Sequence, residues 1–300
     1  MKTEMIRTDE IYHRILTAPN AAARLLIYVE GFVQPWKQMM DMMKTGEVSE
    51  SDDPLTGARN WAWLLPEKVE EMRHLLGKLE AADAWSTAEK ALARAAACFD
   101  PYAASIPFDT ITGWLVLGDA ARGNSYEHGY TGATDWFQPR FIGQFWDPNA
   151  DNLARLPGLI AHEMHHLIRM KAFPFGPQTT VADYIIIEGT AESFATSLFG
   201  ADNVGFYVSE VNAGELESAR RLIAKGLKTS GFNAIRGYIF GDALAEKWNF
   251  QPVGGMPTYG GYAVGYHVVQ AYLQRTGRSI QATTFLPADE IVAESGYLDD

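Results

Sequence analysis

Two histidines four residues apart, with a glutamate between them, are the side chains best suited to chemistry in this chain. Residues 160–168 read IAHEMHHLI. On a helix, His162 and His166 project from the same face, so one nitrogen of each ring can bind a common metal ion. Glu163 can then take a proton from a water that the metal activates. The spacing predicts a catalytic metal site with His162 and His166 as ligands and Glu163 as general base.

The residues around the histidines favour this interpretation over a chance match of three residue types. The flanking side chains Leu159, Ile160, Leu167 and Ile168 are apolar, which indicates a largely buried helix. Two buried imidazoles one turn apart would be costly without a common partner. His165 lies about 100° around the helix from the adjacent His166, so we do not expect it to bind the metal.

A tetrahedral catalytic zinc ion needs a third protein ligand and an open position. The best candidate is Glu188, because it ends the apolar run Ile185–Ile187 and a carboxylate there needs a partner. Glu192, one turn later, would accept the N–H of a ligand histidine. The reverse assignment of the two glutamates remains open, as does an amphipathic helix on which both are solvated.

The alternative third ligand, a histidine shortly after His166, is absent. That arrangement requires a glycine and a histidine at set positions, whereas residues 167–172 read LIRMKA. A zinc site in which the third protein ligand is a glutamate is therefore favoured. Gly189 and Ala191 are small, and we expect them to let the second ligand helix approach the first closely.

Attack of water on a carbonyl creates an oxyanion, which a nearby donor usually helps to stabilise. We expect that donor in the glycine- and tyrosine-rich segment before residue 268, with Tyr262 first, Tyr266 second and His267 third. Gly261 and Gly265 would allow this segment to pack closely on the metal helices. The alternative is that the tyrosines belong to the core and have satisfied hydroxyls.

An extended peptide substrate often adds as a strand to the edge of a sheet. Arg140–Trp146 precedes the metal helix and could form that edge, with the loop Gly129–Gly132 closing over it. An ordinary structural strand is the alternative for Arg140–Trp146.

Composition excludes several classes of protein and partner. The chain has 300 residues, of which 47% are hydrophobic, and a formal net charge of −12, which argues against nucleic acid or an anionic membrane as partner. The single cysteine, Cys98, excludes an internal disulfide framework. The first residues do not resemble a secretory signal, and no apolar run has the length of a membrane span. We therefore expect a cytoplasmic protein.

The order of elements predicts an α+β fold that is predominantly helical. Residues 1–104 read as a helical region, 105–200 as a catalytic region and 201–300 as a C-terminal helical lobe, together one compact unit. Strands are expected at Thr110–Leu117 and Arg140–Trp146. The second ligand helix is expected at Val181–Leu198. This order places a small sheet beside two metal-binding helices.

The motifs resemble those of the bacterial YjaZ-like family of predicted zinc-dependent proteases, which belongs with the gluzincin-like metallopeptidases. The similar segments are HEMHH at 162–166, IEGTAE at 187–192, GYAVGY at 261–266, IRTD at 6–9 and GYTG at 129–132. Thr190 departs from the bulkier apolar residue common in the family. The resemblance implies a zincin-like core, Zn²⁺ on His162, His166 and Glu188, and Glu163 as base.

The sequence thus predicts a zinc-dependent hydrolase, most simply a metallopeptidase that acts on peptides. One alternative is a zinc hydrolase of a small amide or ester. Another is a zinc-stabilised binding or regulatory protein without turnover, which a fourth protein ligand would favour. The substrate, the choice between endopeptidase and exopeptidase, and the oligomeric state are not encoded in any recognisable motif.

Overall fold

The computed structural model describes residues 1–42, 53–121 and 126–299. Its sheet has four strands, β1 (Lys2–Ile6), β2 (Thr110–Leu117), β3 (Tyr130–Thr134) and β4 (Arg140–Phe145), in the order β1-β2-β4-β3. β2 pairs in parallel with both β1 and β4, whereas β3 is antiparallel to β4. The sheet is therefore small and mixed, with β1 and β3 at its edges.

The structure confirms the two predicted strands and corrects their surroundings. β4 lies between β2 and β3, so the expectation that Arg140–Trp146 forms a sheet edge is wrong. The edge strand next to β4 is β3, which includes most of the segment Gly129–Gly132 that was expected to be a loop. β1 also falls in a region that was predicted to be helical, because its pairing with β2 is remote in sequence and leaves no local pattern.

Helices make up most of the remaining fold, which is therefore α+β and predominantly helical, as predicted. In chain order they are α1 (Thr8–Thr17), α2 (Ala21–Tyr28), α3 (Lys37–Met42), α4 (Thr56–Asn60), α5 (Val69–Ala81), α6 (Ala84–Ala97), α7 (Ala150–Ala154), α8 (Leu156–Ala172), α9 (Val181–Phe199), α10 (Phe206–Ser209), α11 (Ala213–Gly226), α12 (Phe232–Phe240), α13 (Asp242–Lys247), α14 (Gly260–Thr276), α15 (Ile280–Thr283) and α16 (Ala288–Ser295). Within the described residues, no helix is both long enough and apolar enough to cross a bilayer.

Internal contacts group the chain into two units, one of residues 1–97 and 108–164, the other of residues 98–107 and 165–300. The three-region division made from the sequence stays a prediction. The first unit contains the sheet and an aromatic core, in which the Trp36 ring lies 6.1 Å from Trp63 and 6.0 Å from Trp114. α6 packs against β1 in this unit.

The second unit is built around the pair α9 and α14. The two helices cross at a glycine of each, Gly189 and Gly265. A Cβ on Gly189 would lie only 2.1 Å from the Gly265 carbonyl oxygen, so the crossing requires glycine. Gly265 thus packs on a metal helix as expected. The expectations for Gly189 and Gly261 are wrong, since Gly189 faces α14 rather than α8 and Gly261 approaches Ile239 of α12.

Candidate metal site

The histidine motif lies on one continuous helix, α8, as the spacing predicts. His162, Glu163 and His166 are all buried, with 4%, 5% and 8% of their surface exposed. Ligand atoms of His162, His166 and Glu188 lie within 4.8 Å of one another. Nε2 of His166 is 3.3 Å from Oε2 of Glu188. The structure therefore gathers three potential ligands, and they include Glu188 rather than Glu192.

The N-terminal cap of helix α9 and the burial of its central residues fix the position of Glu188. Thr180 and Asp183 form a reciprocal capping box, in which the Thr180 hydroxyl accepts from the Asp183 N–H at 3.2 Å and the Asp183 carboxylate accepts from the Thr180 N–H at 2.9 Å. Every residue from Tyr184 to Ala195 is buried. The helix can therefore neither slide nor rotate without breaking packing on several sides.

The donor set fits zinc. Two imidazole nitrogens and one carboxylate oxygen are the protein ligands of one common type of catalytic zinc site, and all three side chains here are buried. A closed structural site has four protein ligands, whereas the cluster found among residues 1–42, 53–121 and 126–299 has three. The identity and the burial of these donors therefore fit a zinc ion.

Glu163 contacts the edge strand β3, a feature that sequence reasoning missed. The Thr134 hydroxyl donates a hydrogen bond of 3.0 Å to Oε2 of Glu163. A Cβ on Gly132 would lie 2.1 Å from Oε1, so only glycine leaves room for the carboxylate at this position. Gly132 and Thr134 are two residues apart, a spacing that in a strand places both on one face. Nothing in the sequence indicated that this face contacts Glu163.

Two further buried side chains of α8, His165 and Arg169, hold the helix in place. His165 is fully buried, is 2.9 Å from the Thr284 hydroxyl through Nε2, and packs near the Phe194 ring. Arg169 donates to the carbonyl oxygens of Thr284 and Leu286 at 2.8 and 2.5 Å, and burial lowers the pKa of its guanidinium to about 10. His165 lies outside the three-ligand cluster, in accordance with its predicted direction.

Glu192 has partners in the segment that follows α9. Its carboxylate accepts from the Gly205 N–H at 2.5 Å and from the Tyr207 hydroxyl at 2.6 Å. These bonds tie α9 to the start of α10. The role that we expect for Glu192, to orient a ligand histidine, stays a prediction.

The candidate oxyanion donors all lie on α14 and differ in their surroundings. Tyr262 is half-buried, and its ring centroid is 4.7 Å from that of Tyr207. Burial raises the pKa of Tyr266, an effect that the neighbouring Thr196 hydroxyl opposes. The His267 ring stacks on Tyr297 at 5.9 Å, and burial lowers its pKa. A catalytic role for any of them stays a prediction.

Comparison with known proteins identifies the family. A family model described as "Predicted Zn-dependent protease (DUF2268)" matches residues 84–293. The uncharacterized protein YjfC of Bacillus subtilis (strain 168) is 38% identical over 159 residues, which cover 53% of this chain and 53% of YjfC. The match thus spans about half the length of this curated relative. No solved structure matches significantly.

The matched region contains the histidine motif on α8, the candidate ligand Glu188 on α9 and the tyrosine segment of α14. The resemblance predicted from these motifs is therefore confirmed, and so is zinc as the cofactor on which the family is described to depend. The chain belongs to the DUF2268 family of predicted Zn-dependent proteases.

Proposed function

We propose that this protein is a zinc metallopeptidase of the gluzincin type that hydrolyses peptide bonds. The observation that carries the proposal is the buried cluster of His162, His166 and Glu188 beside a glutamate, Glu163, on the same helix. A zincin-like core, in which a sheet edge accompanies two ligand helices, is part of this proposal.

In this mechanism His162, His166 and Glu188 hold the ion. Bound zinc supplies Lewis-acid activation of water and of the scissile carbonyl. Glu163 accepts the proton of the attacking water and passes it to the leaving amine. The Thr134 hydroxyl fixes the Glu163 carboxylate through its hydrogen bond. Tyr262 or Tyr266 would donate to the developing oxyanion.

The strand β3 offers a way to align the peptide. It is an edge strand, and two of its residues, Gly132 and Thr134, contact Glu163 directly. A substrate that adds as a further strand to the side of β3 opposite β4 would bring its backbone next to Glu163. Alignment by β3 replaces the alignment by Arg140–Trp146 that the sequence suggested.

The proposal is tested by metal analysis of the purified protein together with cleavage of a peptide library by the wild type and Glu163→Gln. We expect about one zinc per chain in both proteins. Turnover should fall roughly 10²- to 10⁴-fold in the variant, because its amide cannot accept the proton. Glu70→Gln is a matched control, since the Glu70 side chain is 87% exposed.

Wild-type activity in Glu163→Gln would contradict the proposed mechanism. Zinc binding without cleavage of any peptide, but with hydrolysis of small esters or amides, would favour the alternative of a small-molecule hydrolase. Zinc binding without any hydrolysis would favour a binding or regulatory protein.

A further inference from the structure

Arg236 is a buried cation in the second unit. It lies on α12 and is only 9% exposed. The guanidinium carbon is 3.4 Å from the centroid of the Phe232 ring, 5.4 Å from that of Phe250 and 5.6 Å from that of Phe175. Three aromatic rings therefore surround a charge that is largely withdrawn from water.

No acidic side chain of the described part of the chain forms an ion pair with Arg236. Its one side-chain hydrogen bond there runs from Nη1 to the Phe232 carbonyl oxygen at 3.2 Å. Arg140, by comparison, is paired with Asp135 at 2.6 Å. Burial lowers the pKa of the Arg236 guanidinium, but an arginine remains protonated at neutral pH. A buried charge without a counter-ion is costly, and an anionic ligand that paired with it would offset part of that cost.

Arg236 lies near the helix that carries the metal ligand Glu188. Helix α12 packs against α9. The Phe175 ring that lies beside Arg236 also contacts the Tyr184 ring, at 5.1 Å between centroids. Tyr184 precedes Glu188 by one helical turn, and both Glu188 and Arg236 act electrostatically on its hydroxyl. The cation is thus within electrostatic range of the same tyrosine as the metal ligand.

We propose that Arg236 binds a carboxylate of the peptide substrate and so positions the scissile bond at the metal site. This inference rests on the proposed peptidase function. A guanidinium binds a carboxylate through two parallel hydrogen bonds, and the burial of Arg236 strengthens the attraction. The carboxylate belongs either to the C-terminus of the substrate or to an acidic side chain.

The two sources are separated with matched synthetic peptides. The first pair shares one cleavable sequence and ends in a free carboxylate or in a carboxamide. The second pair is amidated at the C-terminus and contains either glutamate or glutamine at one internal position, which is moved along the sequence. Each peptide is tested for cleavage by the wild type and by variants of Arg236. Binding is measured by calorimetry in the Glu163→Gln protein, with and without each Arg236 substitution, with zinc and after chelation.

The variants are Arg236→Met, which keeps the apolar stem of the side chain, and Arg236→Lys, which keeps the charge but loses the paired hydrogen bonds. Arg221→Met is the control, since it removes the same charge from a side chain that is 61% exposed. We expect the wild type to prefer one carboxylate peptide to its neutral partner by roughly 10- to 100-fold in KM. Arg236→Met should abolish this preference, Arg236→Lys should retain part of it, and Arg221→Met should leave it unchanged.

If Arg236→Met loses the preference for the free C-terminal carboxylate over the carboxamide, Arg236 binds the C-terminus of the substrate. If it loses the preference for glutamate over glutamine, Arg236 binds an acidic side chain. Equal cleavage and equal binding of all pairs by the wild type would overturn the inference while leaving the peptidase function intact. An unchanged preference in Arg236→Met would overturn it as well. If no peptide is cleaved, the peptidase function fails, and the calorimetric comparison still decides whether Arg236 binds carboxylates. If Arg236→Met does not fold, Arg236→Lys and the comparison within the wild type decide the inference.

Discussion

At the scale of single residues, the proposed general base, Glu163, is positioned by a strand residue that has no side chain. Gly132 has no side chain, and the Glu163 carboxylate occupies the space where a Cβ would lie, 2.1 Å from Oε1 and 2.4 Å from Cδ. Because the obstructing atoms end a flexible side chain, the fold can accept a methyl group here by displacing the carboxylate. We therefore expect a substitution of Gly132 to reduce activity more than stability.

We accordingly predict that Gly132→Ala loses most peptidase activity, at least tenfold in kcat, while zinc content and melting temperature change little. Misplacement of a catalytic group by about 1 Å is enough for losses of up to 10²-fold. Steady-state kinetics, metal analysis and thermal melts would check this. Gly77→Ala is the control, since nothing lies within 4 Å of its added Cβ. Full activity in Gly132→Ala would show that Glu163 is not held by β3.

At the scale of elements, the crossing of α9 and α14 depends on two glycines that face one another. A Cβ on Gly265 would lie 2.1 Å from the Ile185 carbonyl oxygen, and backbone atoms cannot move aside as a side chain can. The helix that carries Glu188 is therefore held at the closest distance that its backbone permits.

Gly265→Ala is predicted to lower the free energy of unfolding by about 3 kcal/mol, the upper part of the range for overpacked cores. It should also weaken zinc binding, because separation of the helices moves Glu188. Urea denaturation and zinc titration would measure both effects. Gly214→Ala on α11, where an added Cβ would lie 3.4 Å from Oδ1 of Asn212, should be neutral or slightly stabilising. A stable Gly265→Ala protein with unchanged zinc affinity would refute the argument.

Elements were predictable from the sequence where their signal is local. β2 and the ligand helices follow from apolar patterns within a single segment, and the ends of α9 agree with Val181–Leu198 to within one residue. The identity of the edge strand was not predictable, because it depends on pairing between β3 and β4. Gly129 and Gly132 favoured a loop, whereas Gly132 lies in an extended strand beside Glu163.

At the scale of the whole molecule, metal binding should contribute to stability. Ligand atoms of three side chains lie within 4.8 Å of one another, and an ion that binds only the folded chain stabilises it by mass action. Free zinc at 100 times its dissociation constant adds about 2.7 kcal/mol.

We predict that a chelator lowers the melting temperature by about 5–10 °C and that added zinc restores it. His166→Ala should melt at the same temperature with and without chelator. His74→Ala, at an exposed position, should behave as the wild type. Differential scanning calorimetry would check the prediction. A melting temperature that does not respond to chelation in the wild type would contradict a zinc ion on these three ligands.

The candidate site as a whole was predictable to the extent that its residues share a helix or follow a buried apolar run. His162 and His166 meet the first condition and Glu188 meets the second, and the structure brings the three together. The contacts of Thr134 and Gly132 with Glu163, and the aromatic surroundings of Arg236, join segments remote in sequence and were not foreseen. A cytoplasmic location and the role of each tyrosine stay predictions.

The unbroken burial of α9 from Tyr184 to Ala195 has a consequence for how the chain can change in length. One residue inserted between the Thr180 cap and Glu188 would turn the carboxylate by about 100° around the helix and carry it away from the histidines. Residues 173–179 connect α8 to α9 and lie outside both helices. Between His166 and Glu188, insertions and deletions that keep the metal site intact should therefore fall in that connection.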